Sequence, residues 1–446
     1  MKKRLIALLM ATTMVIGLTA CGGGGGGTTA DTSSDTTTEA TDDASDKEEV
    51  TIEVNVAQVD WADAWDVMEE RFEEQYQWIN LEHVGLGEDA NFLQTRLSTK
   101  DLPAIIQVYG GQLLDELVAQ DLLVDISNYE CAAVMPQAYK DAYTYDGKLI
   151  AMCQGAAFST MFFNMALLKE AGWEAPPTNW DELLKCCADV KEKTGVAPLT
   201  TAAGKHTTAF MLFEGILANT VCDEIGADTY MNEFMDGTFD FSAYPEVGEK
   251  LDAIAPYFLE GSAAAQEEDA ITYMADGLAA MCLAGNWNAT ALVDAIATAS
   301  GDEANAAVSL PPFGEAGKDT WISVSPEDGF AITKDDSRTE AEQEAVDLFF
   351  NWIFEAENFQ LIQNARGTAP VITNMTDEYI VLPDAVVPVV AEMGNAPFVK
   401  MGFNLYTAEF RDAAQGKIDE VLSGTAKGAD VLKVMSDILP KSYKNQ

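Results

Sequence analysis

Residues 22–49 constrain the fold more than any other segment, because they contain no apolar side chain larger than alanine. Six glycines, Gly22–Gly27, are followed by a run rich in Thr, Ser, Asp and Glu. Such a segment cannot bury apolar surface, so we expect it to form a flexible tether. The folded part therefore begins at Val50. The rest of the 446-residue chain is too long for one average core, which predicts two or more packed units.

The residues before this tether have the pattern of an export signal. Met1-Lys-Lys-Arg4 is basic, and Leu5–Leu18 is uncharged, mostly apolar and too short for a stable membrane span. The following Leu18-Thr-Ala-Cys21 resembles the bacterial lipobox. This resemblance implies that residues 1–20 are a lipoprotein signal peptide and that Cys21 is lipidated. We therefore expect residues 21–49 to tether the protein, through acyl chains such as palmitate, to the extracellular face of the cell membrane.

The charge of the chain excludes nucleic acid as a partner. Lys and Arg total 26 against 73 Asp and Glu, for a formal net charge of −47, which would repel a phosphate backbone. The chain has only two histidines, His83 and His206, and they are far apart in sequence. Histidine-rich metal sites and histidine-based catalytic triads are therefore not expected. No serine-hydrolase, zinc-protease or P-loop motif is present. We expect no metal, no cofactor and no catalytic residue.

Six cysteines follow Cys21, and none belongs to a C-x-x-C pair. Most have apolar neighbours, which favours small buried hydrophobic residues and leaves disulfide pairing open. The six are Cys131, Cys153, Cys186, Cys187, Cys222 and Cys282.

The folded part opens with alternating strand and helix signals. Val50–Val56 alternates apolar and polar residues, as in a strand with one exposed face. Apolar residues at helical spacing follow, from Trp61 to Tyr76, with Asp60 as a possible N-cap. Residues 103–109 read as a second strand and residues 112–119 as a second helix. This βαβα order predicts an α/β fold with a largely parallel sheet.

Two later segments also have clear secondary-structure signals. Trp180 opens a helix that lies between Pro176-Pro177-Thr178 and Gly195. Ala279–Ala284 is a continuous apolar run, typical of a strand buried on both faces. Gly285 ends that strand, and we expect Asn286 to cap the next helix and Trp287 to begin it.

Several segments together resemble the bacterial extracellular solute-binding proteins of ABC importers, specifically the maltodextrin-binding type. They are Tyr145–Ala151, Phe162–Asn164 with Leu168 and Ala171-Gly172, Pro176–Thr178 with Trp180–Leu183, and Asp276–Met281 with Gly285–Trp287. The resemblance implies a two-lobed, periplasmic-binding-protein-like fold of type II with the ligand cleft between the lobes. It places lobe 1 at residues 50–156 plus 310–365 and lobe 2 at residues 157–309 plus 366–446.

Candidate ligand residues follow from the sheet, since ligands of open parallel sheets gather beyond the carboxyl ends of strands. Strand ends contribute Asp60, Trp61, Tyr109, Asn286 and Trp287. The proposed crossings add Phe158 and Arg366, and the loop before the apolar strand at residues 330–332 adds Asp328. Aromatic rings pack on sugar faces, and acids and amides bind the hydroxyl groups. Trp287 also occupies the aromatic-platform position that the resemblance implies. Core packing for the aromatic residues, an N-cap for Asp60 and a surface ion pair for Arg366 remain alternatives.

The predicted function is capture of a sugar or oligosaccharide by hinge closure and delivery to an ABC permease by a monomeric receptor without enzymatic activity. Two departures from the family pattern leave the ligand open. Ala104 replaces an acid that is common at the second strand, and residues 154–159 lack the acid that maltodextrin binders have there. A peptide or polyamine ligand, a lipid-anchored glycoside hydrolase and a surface adhesin are the alternatives.

Overall fold

A computed structural model describes residues 47–443 except 57–61, 86–89, 109–111, 205, 327, 367–370, 377, 380, 394 and 401. The predicted signal peptide, Cys21 and nearly all of the predicted tether lie outside these described residues. Residues Ala44–Gln446 form one compact unit. Within it, two β-sheets have separate hydrophobic cores, and we call each sheet with its helices a lobe.

Lobe 1 is built on a five-stranded sheet of order β2-β1-β3-β12-β6. Its strands are β1 (Val50–Asn55), β2 (Ile79–Val84), β3 (Ile105–Val108), β6 (Met152–Cys153) and β12 (Gly329–Ile332), beside the small hairpin of β4 (Thr144–Tyr145) and β5 (Lys148–Leu149). Its helices are α1 (Ala62–Gln75), α2 (Ala90–Thr99), α3 (Gln112–Ala119), α4 (Gln137–Ala142), α13 (Glu340–Ile353) and α14 (Ala356–Arg366).

The sequence analysis located most of lobe 1. Strands β1 and β3 and helices α1 and α3 confirm the predicted βαβα order, and the stripe of Trp65, Met68 and Phe72 is fully buried. The parallel sheet is confirmed for β1, β2 and β3, whereas β12 runs antiparallel to both β3 and β6. The antiparallel strand arises because the chain returns to this sheet from lobe 2.

Lobe 2 is built on a six-stranded sheet of order β13-β11-β7-β9-β8, with β10 paired to β7. Its strands are β7 (Ala156–Asn164), β8 (Ala197–Thr201), β9 (Ala279–Gly285), β10 (Ala306–Ser309), β11 (Ile322–Pro326) and β13 (Phe398–Lys400). Its α-helices are α5 (Met165–Glu170), α6 (Trp180–Lys193), α7 (His206–Leu217), α8 (Asp223–Ile225), α9 (Ala227–Met235), α10 (Pro245–Ile254), α11 (Glu267–Ala275), α12 (Ala289–Ser300), α15 (Val387–Met393), α16 (Ala408–Leu422) and α17 (Gly428–Tyr443).

The central strand β7 is buried along its whole length and separates two cores. Met161 and Phe163 pack into one core, and Phe158 and Phe162 pack into the other, because successive side chains of a strand point to opposite faces. Strand β9 beside it is also buried throughout, which confirms the prediction for residues 279–284. Helix α6 begins at Trp180 as predicted, and the Asn179 side chain caps it by accepting from the Glu182 N–H.

The sheets place the second crossing between the lobes later than the sequence boundary of 310. Strand β11 pairs with β7 in lobe 2, and β12 pairs with β3 in lobe 1, so the chain crosses between Pro326 and Gly329. Leu310 and Phe313 accordingly pack into lobe 2 cores. Downstream, Val371 and Ile372 still pack into the lobe 1 core, beyond the predicted end of that lobe at residue 365. Backbone pairing that joins distant segments is invisible to local sequence patterns.

The six cysteines of the described part are all buried, as expected for small hydrophobic residues. Burial raises the pKa of Cys131, Cys186 and Cys222 to about 12, so these thiols stay protonated and unreactive at neutral pH. No helix among the described residues has the length and apolar character to cross a bilayer.

Candidate functional site

Two of the chain crossings lie against each other and join the two lobes. Strand β6 leads into β7 through residues 154–155, and Asp328 lies between β11 and β12. The Gln154 N–H donates to the Asp328 carbonyl at 3.0 Å. A Cβ at Gly329 would lie 2.8 Å from the Met152 carbonyl oxygen, so glycine is required for this close approach. We call residues 154–155 and 328–329 the hinge.

A carboxylate with amide partners lies inside the hinge. The Asp328 side chain is only 3% exposed, and its Oδ2 accepts from the Nε2 groups of Gln107 and, at 2.9 Å, Gln154. From α14, Gln363 Nε2 donates to the Gln154 carbonyl at 2.8 Å. These bonds offset the cost of burying a polar carboxyl group. Within the described part of the chain, Gln154 Oε1 and Gln363 Oε1 are buried without a partner, so the network keeps two unused acceptors.

Asn286 fastens the end of β9 to the first residues of β7. Its Nδ2 donates to the Ala156 carbonyl at 2.9 Å, and its Oδ1 accepts from the Phe158 N–H at 2.8 Å. The prediction that Asn286 caps the next helix is wrong. A 3₁₀ turn, Asn286–Asn288, precedes α12. The side-chain amide of Asn286 instead bonds to the backbone of β7, just beyond the last residue of β9.

Trp287 lies in that 3₁₀ turn and is partly exposed. Its indole Nε1 donates to Glu267 Oε1 at 2.7 Å, and Glu267 is the first residue of α11. A Cβ built on Gly285 would lie 2.4–2.5 Å from the indole Cη2, Cζ2 and Cε2 atoms. The turn also contacts α14 of lobe 1, so Trp287 is on the side of lobe 2 that faces the other lobe.

The structure describes only some of the predicted ligand residues. Phe158 is 1% exposed and packs in a lobe 2 core, Asn286 and Asp328 are buried, and Trp287 is partly exposed. The structure joins Phe158 to Asn286 through their hydrogen bond. The predictions for Asp60, Trp61 and Tyr109, and for the side chain of Arg366, lie outside what the structure describes.

Sequence reasoning missed the residues that hold these groups in place. They are Gln107, Gln154, Gln363 and Glu267. A signal existed for Gln107, since it is a polar residue inside the apolar run Ala104-Ile-Ile-Gln-Val108 and is only 1% exposed in β3. Glu267 had no such signal, because it is one of three consecutive acids at the start of a helix.

Two lobes joined at a hinge, with polar and aromatic side chains between them, define a two-lobed solute-binding protein. A family model for the bacterial extracellular solute-binding proteins matches residues 67–386, and the chain belongs to this family. Its fold also matches solved structures. No curated protein sequence matches the chain at a significant level.

Three of these structures carry names that state a ligand. A chitin oligosaccharide binding protein is 17% identical with a TM-score of 0.74, and the match covers 89% of this chain and 99% of that one. The binding protein RafE in complex with raffinose is 16% identical with a TM-score of 0.72, over 89% and 99%. A sugar transporter from Bacillus licheniformis in complex with stachyose is 16% identical with a TM-score of 0.69, over 89% and 100%. At these identities the matches show the fold of this chain.

Proposed function

We propose that this protein is a lipid-anchored extracellular receptor that captures a sugar or oligosaccharide between its lobes and delivers it to an ABC permease. The observation that carries the proposal is the Trp287 indole, which is partly exposed on the face of lobe 2 toward lobe 1. Aromatic rings bind the C–H faces of sugars, and the similar structures above are named for chitin oligosaccharide, raffinose and stachyose. The protein acts as a monomer and leaves its ligand chemically unchanged.

Capture proceeds by hinge closure. A sugar on Trp287 gains its contacts with lobe 1 only when the lobes approach, so ligand shifts the population toward the closed form. The hydrogen bonds between Gln154 and Asp328 hold two chain crossings together. We expect the lobes to rotate about these crossings as rigid bodies. The permease distinguishes the closed form from the open form.

Thermal unfolding tests the ligand class. The purified protein is heated alone and with chitin oligosaccharides, raffinose, stachyose, maltose, amino acids, peptides and polyamines. A ligand that binds only the folded protein raises the midpoint with the logarithm of its concentration. We expect at least one sugar to raise it, Trp287→Ala to abolish that shift, and chromatography to recover the sugar intact.

Trp173→Ala is the matched control, because Trp173 is a partly exposed indole of the same lobe that also donates to a carboxylate, Asp189 Oδ2, at 3.0 Å. This variant should keep the sugar shift. A response only to peptides or polyamines would replace the sugar assignment, a cleaved sugar would indicate a hydrolase, and the absence of any response would favour an adhesin.

Anchoring is tested through Cys21, which we propose is lipidated after removal of residues 1–20. Cys21→Ser should move the protein from the membrane fraction of the producing bacterium to unprocessed precursor or to the medium. Wild-type protein should incorporate a palmitate label that the variant lacks. Equal membrane association of both proteins would contradict the anchor and leave the sugar assignment untouched.

A further inference from the structure

Two contacts of the Trp287 ring are independent of each other and of any ligand. The first is the hydrogen bond from Nε1 to Glu267 Oε1 at 2.7 Å, at one edge of the indole. The second is the contact of the six-membered ring with the backbone of Gly285. Two such contacts restrict the rotation of the side chain about both of its torsions.

The contact with Gly285 involves one face of the ring. An added Cβ would be nearly equidistant from Cη2, Cζ2 and Cε2, at 2.4, 2.4 and 2.5 Å. An approach within the ring plane toward Cζ2 would leave its two ring neighbours clearly farther away, so the Cβ would lie above the ring. One face of the indole therefore covers the Gly285 Cα.

The backbone of Gly285 does not itself require glycine. Its φ of −76° and ψ of 153° are in the extended region that every residue adopts. The absence of a side chain is explained by the ring, which occupies the space that a Cβ would need. Residue 285 is thus part of the surface on which the Trp287 ring packs. We call that surface, together with Glu267, the seat of Trp287.

Glu267 is well placed to hold the indole. It is the first residue of α11, a position where carboxylates are favoured by the helix dipole. The Gln266 N–H donates to Asp269 Oδ2 at 2.9 Å, which fixes the start of this helix, and α11 packs on both β9 and α12. The Glu267 carboxylate therefore belongs to a fixed helix start, and it approaches the Trp287 indole from one side.

We propose that Glu267 is the positioning residue of Trp287: its carboxylate holds the indole edge so that one ring face covers Gly285 and the opposite face is presented to a sugar. The ligand role of that face rests on the proposed function above. Glu267 acts through Trp287. Its negative charge also makes the ring more electron-rich, which strengthens the attraction of the ring face for the partly positive C–H groups of a sugar.

The first test needs no ligand. Near-ultraviolet circular dichroism is recorded for the wild type and for Trp287→Phe, and the difference isolates the signal of this indole among the eight tryptophans. The same difference is then measured in the Glu267→Gln and Glu267→Ala backgrounds. We expect Gln, whose amide oxygen still accepts the hydrogen bond, to retain most of the difference and Ala to lose most of it. An unchanged difference in Glu267→Ala would overturn the proposal whether or not Trp287 binds sugar.

The second test measures affinity for raffinose, stachyose and maltose by titration calorimetry. For any sugar that the wild type binds, Glu267→Ala should weaken the affinity roughly tenfold, because the indole loses its acceptor. Glu267→Gln should weaken the affinity by less, because the indole keeps a hydrogen bond, although one to a neutral acceptor is weaker than one to a carboxylate. In a Trp287→Phe background, where no Nε1 exists, Glu267→Ala should have no further effect. An equal loss in that background would assign Glu267 a direct contact with the ligand instead.

Asp189→Ala is the matched control, because Asp189 accepts from the Trp173 indole within the same lobe. It should change neither the Trp287 signal nor the affinity. If Trp287→Ala binds these sugars like the wild type while the circular dichroism result holds, the proposed function fails and the positioning role of Glu267 stands.

Discussion

Carboxylates of the interlobe region and of the outer surface of lobe 2 bind similar donors in different surroundings. Between the lobes, Asp328 accepts from two neutral amides and Glu267 accepts from an indole. On the outer surface, Asp189 accepts from the Trp173 indole and also pairs with Lys185 at 2.6 Å and Lys193 at 3.2 Å. Lys185 and Lys193 pair with the surface carboxylate, and the hinge carboxylate joins strand β3 to the chain crossing at Gln154.

The described contacts of the two indoles also differ. The Lys185 ammonium is 5.3 Å from the centre of the Trp173 ring, so a cation contacts that ring. The Trp287 ring packs against the backbone of Gly285, which has no side chain. A hydrogen bond from indole to carboxylate therefore does not identify a binding site by itself. Among the contacts that the structure describes, Trp173 lies in a surface ion-pair cluster, and Trp287 packs on the last residue of strand β9.

The largest effect on stability is expected for Asp328→Ala. The change leaves the amides of Gln107 and Gln154 without their buried acceptor, and we expect a loss of about 3 kcal/mol in the free energy of unfolding. Chemical denaturation measures it. The control is Asp336→Ala, at an exposed carboxylate of the turn after β12, which should change stability by less than about 0.5 kcal/mol. Equal effects of the two substitutions would remove the structural role that we assign to the hinge carboxylate.

A smaller loss is expected for Gly285→Ala. The added Cβ overlaps the Trp287 ring, so the ring must move, which costs about 2 kcal/mol as in other overpacked sites. In a Trp287→Ala background the overlap is gone, and the same substitution should be nearly neutral. A double-mutant cycle from denaturation curves measures this coupling. Additive effects would mean that the ring does not rest on residue 285.

The sequence predicted the elements of this fold better than it predicted the site. Period-two alternation identified β1, and the uninterrupted apolar run identified β9, because both patterns follow directly from burial. Strand β2 was missed although Ile79 and Leu81 alternate with the exposed Asn80 and Glu82, so its signal was present. Such strands can be recognised from sequence because their patterns depend only on residues within one short segment.

The contacts of the site depend on residues far apart in the chain. Asp328 and Gln107 are 221 positions apart, and Asn286 and Ala156 are 130 apart. Local patterns indicated that Asn286 caps a helix, because an asparagine before a helix commonly does so. Only the pairing of β7 with β9 shows that its amide bonds to a strand instead. Trp287 could be singled out from sequence, and the seat that Glu267 and Gly285 form around it could not.

The smallest effect is expected at the outer surface of lobe 2. Hydrogen bonding to Lys185, followed by that to Trp173 and Lys193, lowers the pKa of Asp189 to about 2 from its ordinary 3.8. A carboxylate with a lowered pKa in the folded state stabilises the protein above its unfolded pKa, and this contribution disappears as the pH falls from about 4 to about 2. Since the lysines are largely exposed, we expect the free energies of unfolding of the wild type and Asp189→Asn to differ by at most about 1 kcal/mol at pH 5.

Denaturation of both proteins between pH 5 and pH 2 measures this difference in stability, which should shrink as the pH falls. A difference that stays constant over this range would show that the carboxylate charge contributes nothing there and that Asp189 acts only as a neutral acceptor for the Trp173 indole.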